Sequence, residues 1–272
     1  MTSYKKIAIL GGGNIGLSIA KGIQNSKLFD AKNIYITRRR ITEISNYNKN
    51  GFKISSNNKE AVEKSEVIII AVQPQQLNDL LSEIKKNIIP KKHLIISVVS
   101  GASIKAIKNY LGKNVEVVRA MPNTAISIQE SMTCISGDNK TSDSLKITKK
   151  IFDQVGQTLI IDEELMIPAT ALCACGIAFF LRAVRAASQG GIEIGFHSEE
   201  ALLMAAQTAK GAAALLLKGE AHPEGEVDKV TTPRGCTISG LNQMEHNGFS
   251  SAMIRGIVTS AEKAARLYKV DE

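Results

Sequence analysis

Close to the start of the chain, Gly11-Gly12-Gly13-Asn14-Ile15-Gly16 has the spacing G-x-G-x-x-G. It follows the apolar run Ile7-Ala8-Ile9-Leu10 and opens a helical pattern, the context in which such a turn cradles a dinucleotide. Gly11 permits the tight turn, Gly13 lets the backbone approach a pyrophosphate, and Gly16 lets the helix pack against the strand. Around Asn14 and Ile15 the first N–H groups of that helix face the phosphates, with the positive end of its dipole behind them.

The second strand pattern selects the nucleotide. An NAD site usually ends that strand in Asp or Glu, which accepts hydrogen bonds from the ribose hydroxyls. Here the run is Ile34-Tyr35-Ile36-Thr37-Arg38-Arg39-Arg40. Guanidinium groups bind a 2′-phosphate that a carboxylate would repel. NADP(H) is therefore expected in preference to NAD(H), with Thr37, Arg38 and Arg39 as the clamp and Arg40 solvated. Two further loops, Val72-Gln73-Pro74-Gln75 and Met121-Pro122-Asn123-Thr124, follow the carboxyl ends of strands, where such folds bind ligands. Asn123 and Thr124 read either as holders of a nicotinamide carboxamide or as turn and helix-cap residues.

The elements that must position these residues alternate. Strand patterns at Lys6–Leu10, Asn33–Thr37, Val67–Val72, Leu94–Val98 and Val115–Arg119, with weaker ones near Met132–Ser136 and Thr158–Ile161, are separated by helical patterns near Asn14–Ser26, Ile41–Asn50, Gln75–Ile88, Ile104–Tyr110 and Ser142–Val155. This order predicts an α/β, Rossmann-type domain with a mostly parallel sheet over residues 1–162. Past Asp162 strand signals stop, and Ala/Leu-rich helical runs follow at Pro168–Ile194, Ser198–Lys218, Cys236–His246 and Ser250–Tyr268. Ser198 with Glu199 and Glu200 reads as an N-cap and acidic first turn. An all-α second domain, 163–272, is expected; helices apolar around so much of their circumference call for burial on more than one side, against another subunit or, alternatively, within an isolated bundle.

Composition narrows the class. The chain has 272 residues, 44% hydrophobic and 22% charged, as in a folded globular protein. The net charge of +8 is spread over small clusters such as Lys5-Lys6 and Lys149-Lys150, with 4% aromatics and no reading motif, so no nucleic-acid partner is expected. No run approaches the roughly 18 uninterrupted apolar residues of a membrane span. With no signal-peptide layout over Met1–Lys6, a soluble cytoplasmic protein is expected. The four cysteines are too scattered for a disulfide framework. Cys173-x-Cys175, in an apolar run without a nearby His, reads as packing, and no metal is expected.

The glycine turn, Ala71-Val72-Gln73-Pro74-Gln75, Val118-Arg119-Ala120-Met121-Pro122-Asn123-Thr124 and above all Asp228-Lys229-Val230-Thr231-Thr232-Pro233-Arg234-Gly235-Cys236-Thr237-Ile238-Ser239-Gly240-Leu241 resemble the pyrroline-5-carboxylate reductase family over nearly the whole length. The resemblance implies an N-terminal Rossmann domain and a C-terminal helical domain that interlocks in a homodimer, sometimes assembled further, up to decamers. It adds Ala71 to the cofactor set. It implies NADPH-dependent reduction of 1-pyrroline-5-carboxylate, a cyclic imino acid, to L-proline. Thr232, Gly235 and Cys236 would hold the substrate carboxylate largely through main chain, with Thr237 as the catalytic hydroxyl at the imine nitrogen. Taken alone, Thr237 reads as an ordinary first-turn hydroxyl.

The chain departs from the family pattern at two places. The usual S/T-P-G-G-T-T has Arg234 in place of a glycine and Cys236 in place of a threonine. S-G-S-G-P-A-Y appears as Cys173-Ala174-Cys175-Gly176-Ile177-Ala178-Phe179. Either the loop does not need a glycine conformation at Arg234, or its shape differs locally. Alternatives are a reductase of a related cyclic imine or hydroxy acid, or a non-catalytic NADPH-binding regulatory paralogue. Dehydrogenases of hydroxy acids carry a lysine on the long helix, and Leu165–Gly195 contains none.

Overall fold

Short runs of Ile, Val and Leu with no polar alternation fit strands covered on both faces. In the computed structural model, which describes residues 4–219 and 222–266, they are such strands. The first unit contains β1 (Ile7–Leu10), α1 (Asn14–Asn25), β2 (Ile34–Thr37), β3 (Lys53–Ser55), α2 (Asn58–Glu63), β4 (Val67–Ile70), α3 (Leu77–Ile84), β5 (Leu94–Ser97), α4 (Ile104–Leu111), β6 (Glu116–Met121), β7 (Ser131–Gly137), α5 (Asp143–Phe152), β8 (Gly156–Ile160) and α6 (Met166–Ala169). They form one sheet of eight strands in the order β3-β2-β1-β4-β5-β6-β7-β8. All pairings are parallel except β6 with β7, where Arg119 faces Ser136. The link between those two strands contains only the short 3-10 turn Thr124–Ile128, too little for a crossover helix, so the chain must double back.

Alternation along β1 divides the core. Ile7 and Ile9 pack with α1 and α5, whereas Ala8 and Leu10 pack with α2, α3 and α4. Ser103 and Ser142 start α4 and α5 by accepting the backbone N–H of Ala106 (3.0 Å) and Leu145 (3.3 Å).

Ile41–Asn50 is not the α-helix expected from the sequence. It forms 3-10 segments, Ile41–Glu43 and Ser45–Asn50, closed by Gly51 at φ 88°. Its β-branched and Ser/Asn residues favour local turns over a continuous helix. The strand β3 and helix α2 that follow were too short to announce themselves. Asn57 caps α2, accepting from the Glu60 N–H at 3.1 Å.

The second unit, Gly176–Thr259, is all helical: α7 (Gly176–Glu193), α8 (Ser198–Lys218), α9 (Pro223–Lys229), α10 (Cys236–His246) and most of α11 (Phe249–Ala264). Of the described residues, 4–175 together with 260–266 cluster as the other unit. The N-cap of α8 is His197 rather than Ser198, with Glu200 reaching back to the His197 N–H at 3.2 Å. Tyr268, the expected end of the last helix, lies outside the described residues.

In this single chain, Ala201 is the sole buried residue of α8, and Leu203 (70%), Leu217 (81%) and Ile254 (62%) are open. Contrary to the expectation of no membrane-length segment, the helical run Glu163–Glu193 is long and apolar enough to cross a bilayer by length and composition.

Candidate nucleotide site and substrate loop

The turn after β1 is built on close approaches. Gly11 has φ 115°, and a Cβ there would lie 2.3 Å from the Ala71 carbonyl oxygen. A Cβ on Gly16 would lie 2.1 Å from the Gly11 oxygen. The N–H groups of Gly11 and Gly12 both donate to the Thr37 oxygen, at 3.1 and 2.7 Å, tying the turn to the end of β2. Gly13 is the N-cap of α1, no side chain caps the helix, and nothing stands within 4 Å of where its Cβ would be. An uncapped helix start behind an open glycine is a cradle for an anion.

A cleft of about 410 Å³ runs from this turn past the end of β2. Gly11, Gly13, Thr37, Arg38, Arg39, Ala71, Val72 and Gln73 all line it. The three arginines are not equivalent. Arg38 donates to the Gly12 oxygen at 2.7 Å and pairs with Glu43, so its guanidinium braces the turn. The Thr37 hydroxyl donates to Asn58 Oδ1 at 2.5 Å, and Asn58 in turn donates to Glu83 at 3.0 Å. Arg40 approaches Glu43 at 4.0 Å. Arg39 is exposed and, among the described residues, has no ion-pair partner. Arg40, which the sequence left solvated, also lines the cleft, as do Glu43, Asn58, Asp79 and Glu83.

The other expected residues stand around this cleft or beside it. Pro74 occupies the first position of the 3-10 turn Pro74–Gln76, after the cleft-lining Gln73. Asn14, Ile15 and Thr124 line a separate cavity of about 310 Å³ with Lys21, Tyr47 and Ile126. Met121 is buried at the end of β6, and Pro122 leads into Asn123. Both ends of the Asn123 side chain are engaged: Oδ1 accepts from the Ala125 N–H (3.1 Å), and Nδ2 donates to the Cys173 oxygen (3.3 Å). The loop is anchored below by Arg119, 4% exposed, whose Nη1 meets Glu163 at 3.1 Å. The same carboxylate oxygen accepts the Ile104 N–H at 2.7 Å. Burial lowers the Arg119 pKa and Glu163 opposes that shift.

In the second unit, Thr232–Thr237 folds into a tight loop that starts α10. The Gly235 N–H donates to the Thr232 oxygen at 2.9 Å, and a Cβ on Gly235 would meet Thr232 Oγ1 at 2.4 Å. Gly235 is the N-cap and, again, no side chain caps the helix. Arg234 sits at φ 59°, so the left-handed conformation natural to glycine is kept here by an arginine, at a cost of roughly 1–2 kcal/mol. Cys236 is exposed and Thr237 half-buried in the first turn.

Comparison with known proteins then decides the family. Residues 6–101 match the family model described as NADP oxidoreductase coenzyme F420-dependent, and residues 163–267 match that for pyrroline-5-carboxylate reductase dimerisation. Pyrroline-5-carboxylate reductase 2 of Dictyostelium discoideum is 50% identical over 282 residues, covering 98% of this chain and 94% of that protein.

The chain belongs to the pyrroline-5-carboxylate reductase family.

Pyrroline-5-carboxylate reductase 1 of the same organism is 53% identical over 96% of this chain, which spans 50% of that longer protein. The solved structure of a pyrroline-5-carboxylate reductase from Coxiella burnetii superposes with a TM-score of 0.90 at 26% identity, covering 97% of this chain and 99% of that one. As a member of the family, the chain is an NAD(P)H-dependent oxidoreductase, with NADP(H) as its nucleotide.

Proposed function

We propose that the chain reduces the C=N bond of 1-pyrroline-5-carboxylate to give L-proline, the last step of proline biosynthesis. The observation that carries this reading is 50% identity along nearly the full length of a pyrroline-5-carboxylate reductase. NADPH, when bound, supplies the hydride. Gly11, Gly13, Gly16 and the open N–H groups at Asn14 and Ile15 receive its pyrophosphate. Arg39, with Thr37 and Arg38 behind it, takes the 2′-phosphate. Ala71, Val72, Gln73 and Pro74, followed by Met121, Pro122, Asn123 and Thr124, flank the path to the nicotinamide.

Residues 163–272 form the substrate and partner half in this reading, and residues 1–162 the nucleotide half. Thr232, Gly235 and Cys236 hold the substrate carboxylate through the uncapped start of α10, where backbone N–H groups favour negative charge. Thr237 donates its hydroxyl to the imine nitrogen and delivers or relays the proton. Positioning and preorganised donors suffice, since the imine needs no strong acid.

The open apolar faces of α8 and α11 join a homodimer, on which larger assemblies such as a decamer are built. This makes Glu163–Glu193 an interface helix of a cytoplasmic protein. Arg182 and Arg185 lie inside it, and an arginine at a bilayer centre costs about 2.5–3.5 kcal/mol.

The test is NADPH oxidation followed by absorbance with a panel of five- and six-membered cyclic imino acids. Fastest turnover is expected with 1-pyrroline-5-carboxylate; preference for another imine moves the substrate, and NADPH binding without any turnover favours a non-catalytic binder. Thr237→Ala should lower turnover about 100-fold while leaving NADPH affinity intact. Unchanged turnover would remove Thr237 from the chemistry.

A further inference from the structure

A cleft that receives a 2′-phosphate gains from positive charge and loses from negative charge, yet Glu43 lines it beside Arg38, Arg39 and Arg40. Its carboxylate is shared between two of the three guanidinium groups. Oε2 accepts from Arg38 Nη2, and Oε1 stands 4.0 Å from Arg40 Nη1. Arg38 Nη1 is engaged with the Gly12 oxygen at 2.7 Å, so Glu43 holds the other terminal nitrogen of that side chain.

Local backbone structure fixes this arrangement. The 3-10 segment Ile41–Glu43 brings Glu43 back to Arg38, with the Glu43 N–H donating to the Arg40 oxygen at 3.3 Å. Ile44, wholly buried, pins the end of that segment beside the glycine turn: a Cβ on Gly12 would lie 3.1 Å from Ile44 Cδ1. The other acidic residues of the cleft are placed differently. Glu83 accepts from Asn58 Nδ2 at 3.0 Å, and among the described residues neither Glu83 nor Asp79 forms an ion pair with these arginines.

A carboxylate near the adenosine ribose suits a nucleotide with a free 2′-hydroxyl, whose hydrogen bond it accepts. An unpaired guanidinium suits a 2′-phosphate. This cleft holds one of each, Glu43 and Arg39. We propose that Glu43 is a specificity-determining residue that sets the balance between NADPH and NADH. It withholds Arg38 Nη2 and Arg40 from the 2′-phosphate and keeps an acceptor for the ribose hydroxyls of NADH. Without its charge, both arginines turn to the phosphate, while Arg38 Nη1 keeps its bond to Gly12 and the turn keeps its shape. The inference rests on the placement of the 2′-phosphate at Arg39 in the proposed function, and is independent of which imine is reduced.

The experiment titrates the intact chain with NADPH and with NADH by fluorescence, without imine and at one ionic strength, and melts each variant alongside. Glu43→Gln should tighten NADPH about tenfold, the size of one charge-assisted bond gained, and leave NADH equal or weaker. The ratio of the two dissociation constants then moves about tenfold or more toward NADPH. If Glu43 only braced Arg38, both nucleotides would weaken alike, because the turn that Arg38 holds serves both. An unchanged ratio, or one that moves toward NADH, would therefore overturn the proposal. Should the glutamine variant melt early, Glu43→Ala must move the ratio in the same direction. Arg39→Ala, titrated in parallel, separates the two possible failures. If it moves the ratio toward NADH while Glu43→Gln moves nothing, the role of Glu43 alone falls. If neither variant moves it, the 2′-phosphate lies elsewhere and both readings fall.

Discussion

Gly16→Ala sets two effects of known size against each other. Alanine is the better helix former by about 1 kcal/mol, and α1 by itself would gain from the change. In the folded chain, however, the new Cβ would sit 2.1 Å from the Gly11 oxygen, nearly an ångström inside the 3.0 Å that real Cβ contacts respect. Both partners are backbone, so no side chain can swing aside, and Ile9 Cγ2 at 3.1 Å closes another direction. The helix must lift off the turn by about 1 Å, an overpacking cost of roughly 1–3 kcal/mol that equals or exceeds the propensity gain.

A shift of that size carries the N–H groups of Asn14 and Ile15 beyond good bonding distance of a phosphate, where charge-assisted bonds are worth about 1.5–3 kcal/mol each. Loss of even one of these bonds should make NADPH bind about 10- to 100-fold more weakly. Fluorescence titration with NADPH, run beside a thermal melt, measures both terms. Gly13→Ala is the control: no protein atom lies within 4 Å of its Cβ, so the melt should be unchanged while the nucleotide is still obstructed. The reasoning fails if Gly16→Ala binds NADPH within about twofold of the parent and melts at the same temperature.

Two other tests reach different parts of the molecule. Arg39→Ala should weaken NADPH about tenfold or more and leave NADH nearly unchanged. Arg38→Ala should weaken both, since it releases the Gly12 carbonyl that shapes the turn; equal losses for the two nucleotides with Arg39→Ala would place the 2′-phosphate elsewhere. His93 is held down at about pH 4 by burial and by the neighbouring charge of Lys92. Below about pH 6.5 the unfolded chain gains a proton that the native state refuses until near pH 4, so this residue costs stability as pH falls across that window, roughly 3 kcal/mol in full. Denaturant curves at pH 7 and pH 4.5 should diverge less for His93→Gln than for the parent; identical divergence would clear His93 of the effect.

The legible parts of this sequence were those written locally. Val67-Ile68-Ile69-Ile70 is unbroken because β4 is covered on both faces, and Gly11, Gly13 and Gly16 stand where backbones must nearly touch. The division of labour among Arg38, Arg39 and Arg40 was not legible. It depends on Glu43 folding back onto Arg38, in a segment whose apolar spacing suggested an α-helix. Asn58 was invisible for a related reason, its partner Thr37 being 21 positions away on a neighbouring element. The short β3 and α2 fell below the length at which periodicity can speak. Arg234 lay between these cases: the sequence posed the question of a glycine-like turn, and only the backbone, at φ 59°, answered it.

The bareness of α8 reaches beyond architecture. A helix with Ala201 alone buried in its own chain draws its stability from what covers the rest. By mass action, the resistance of such a protein to heat or denaturant is a property of the solution as well as of the sequence, rising with protein concentration and falling on dilution. Its melting temperature has meaning only beside the micromolar value at which it was recorded.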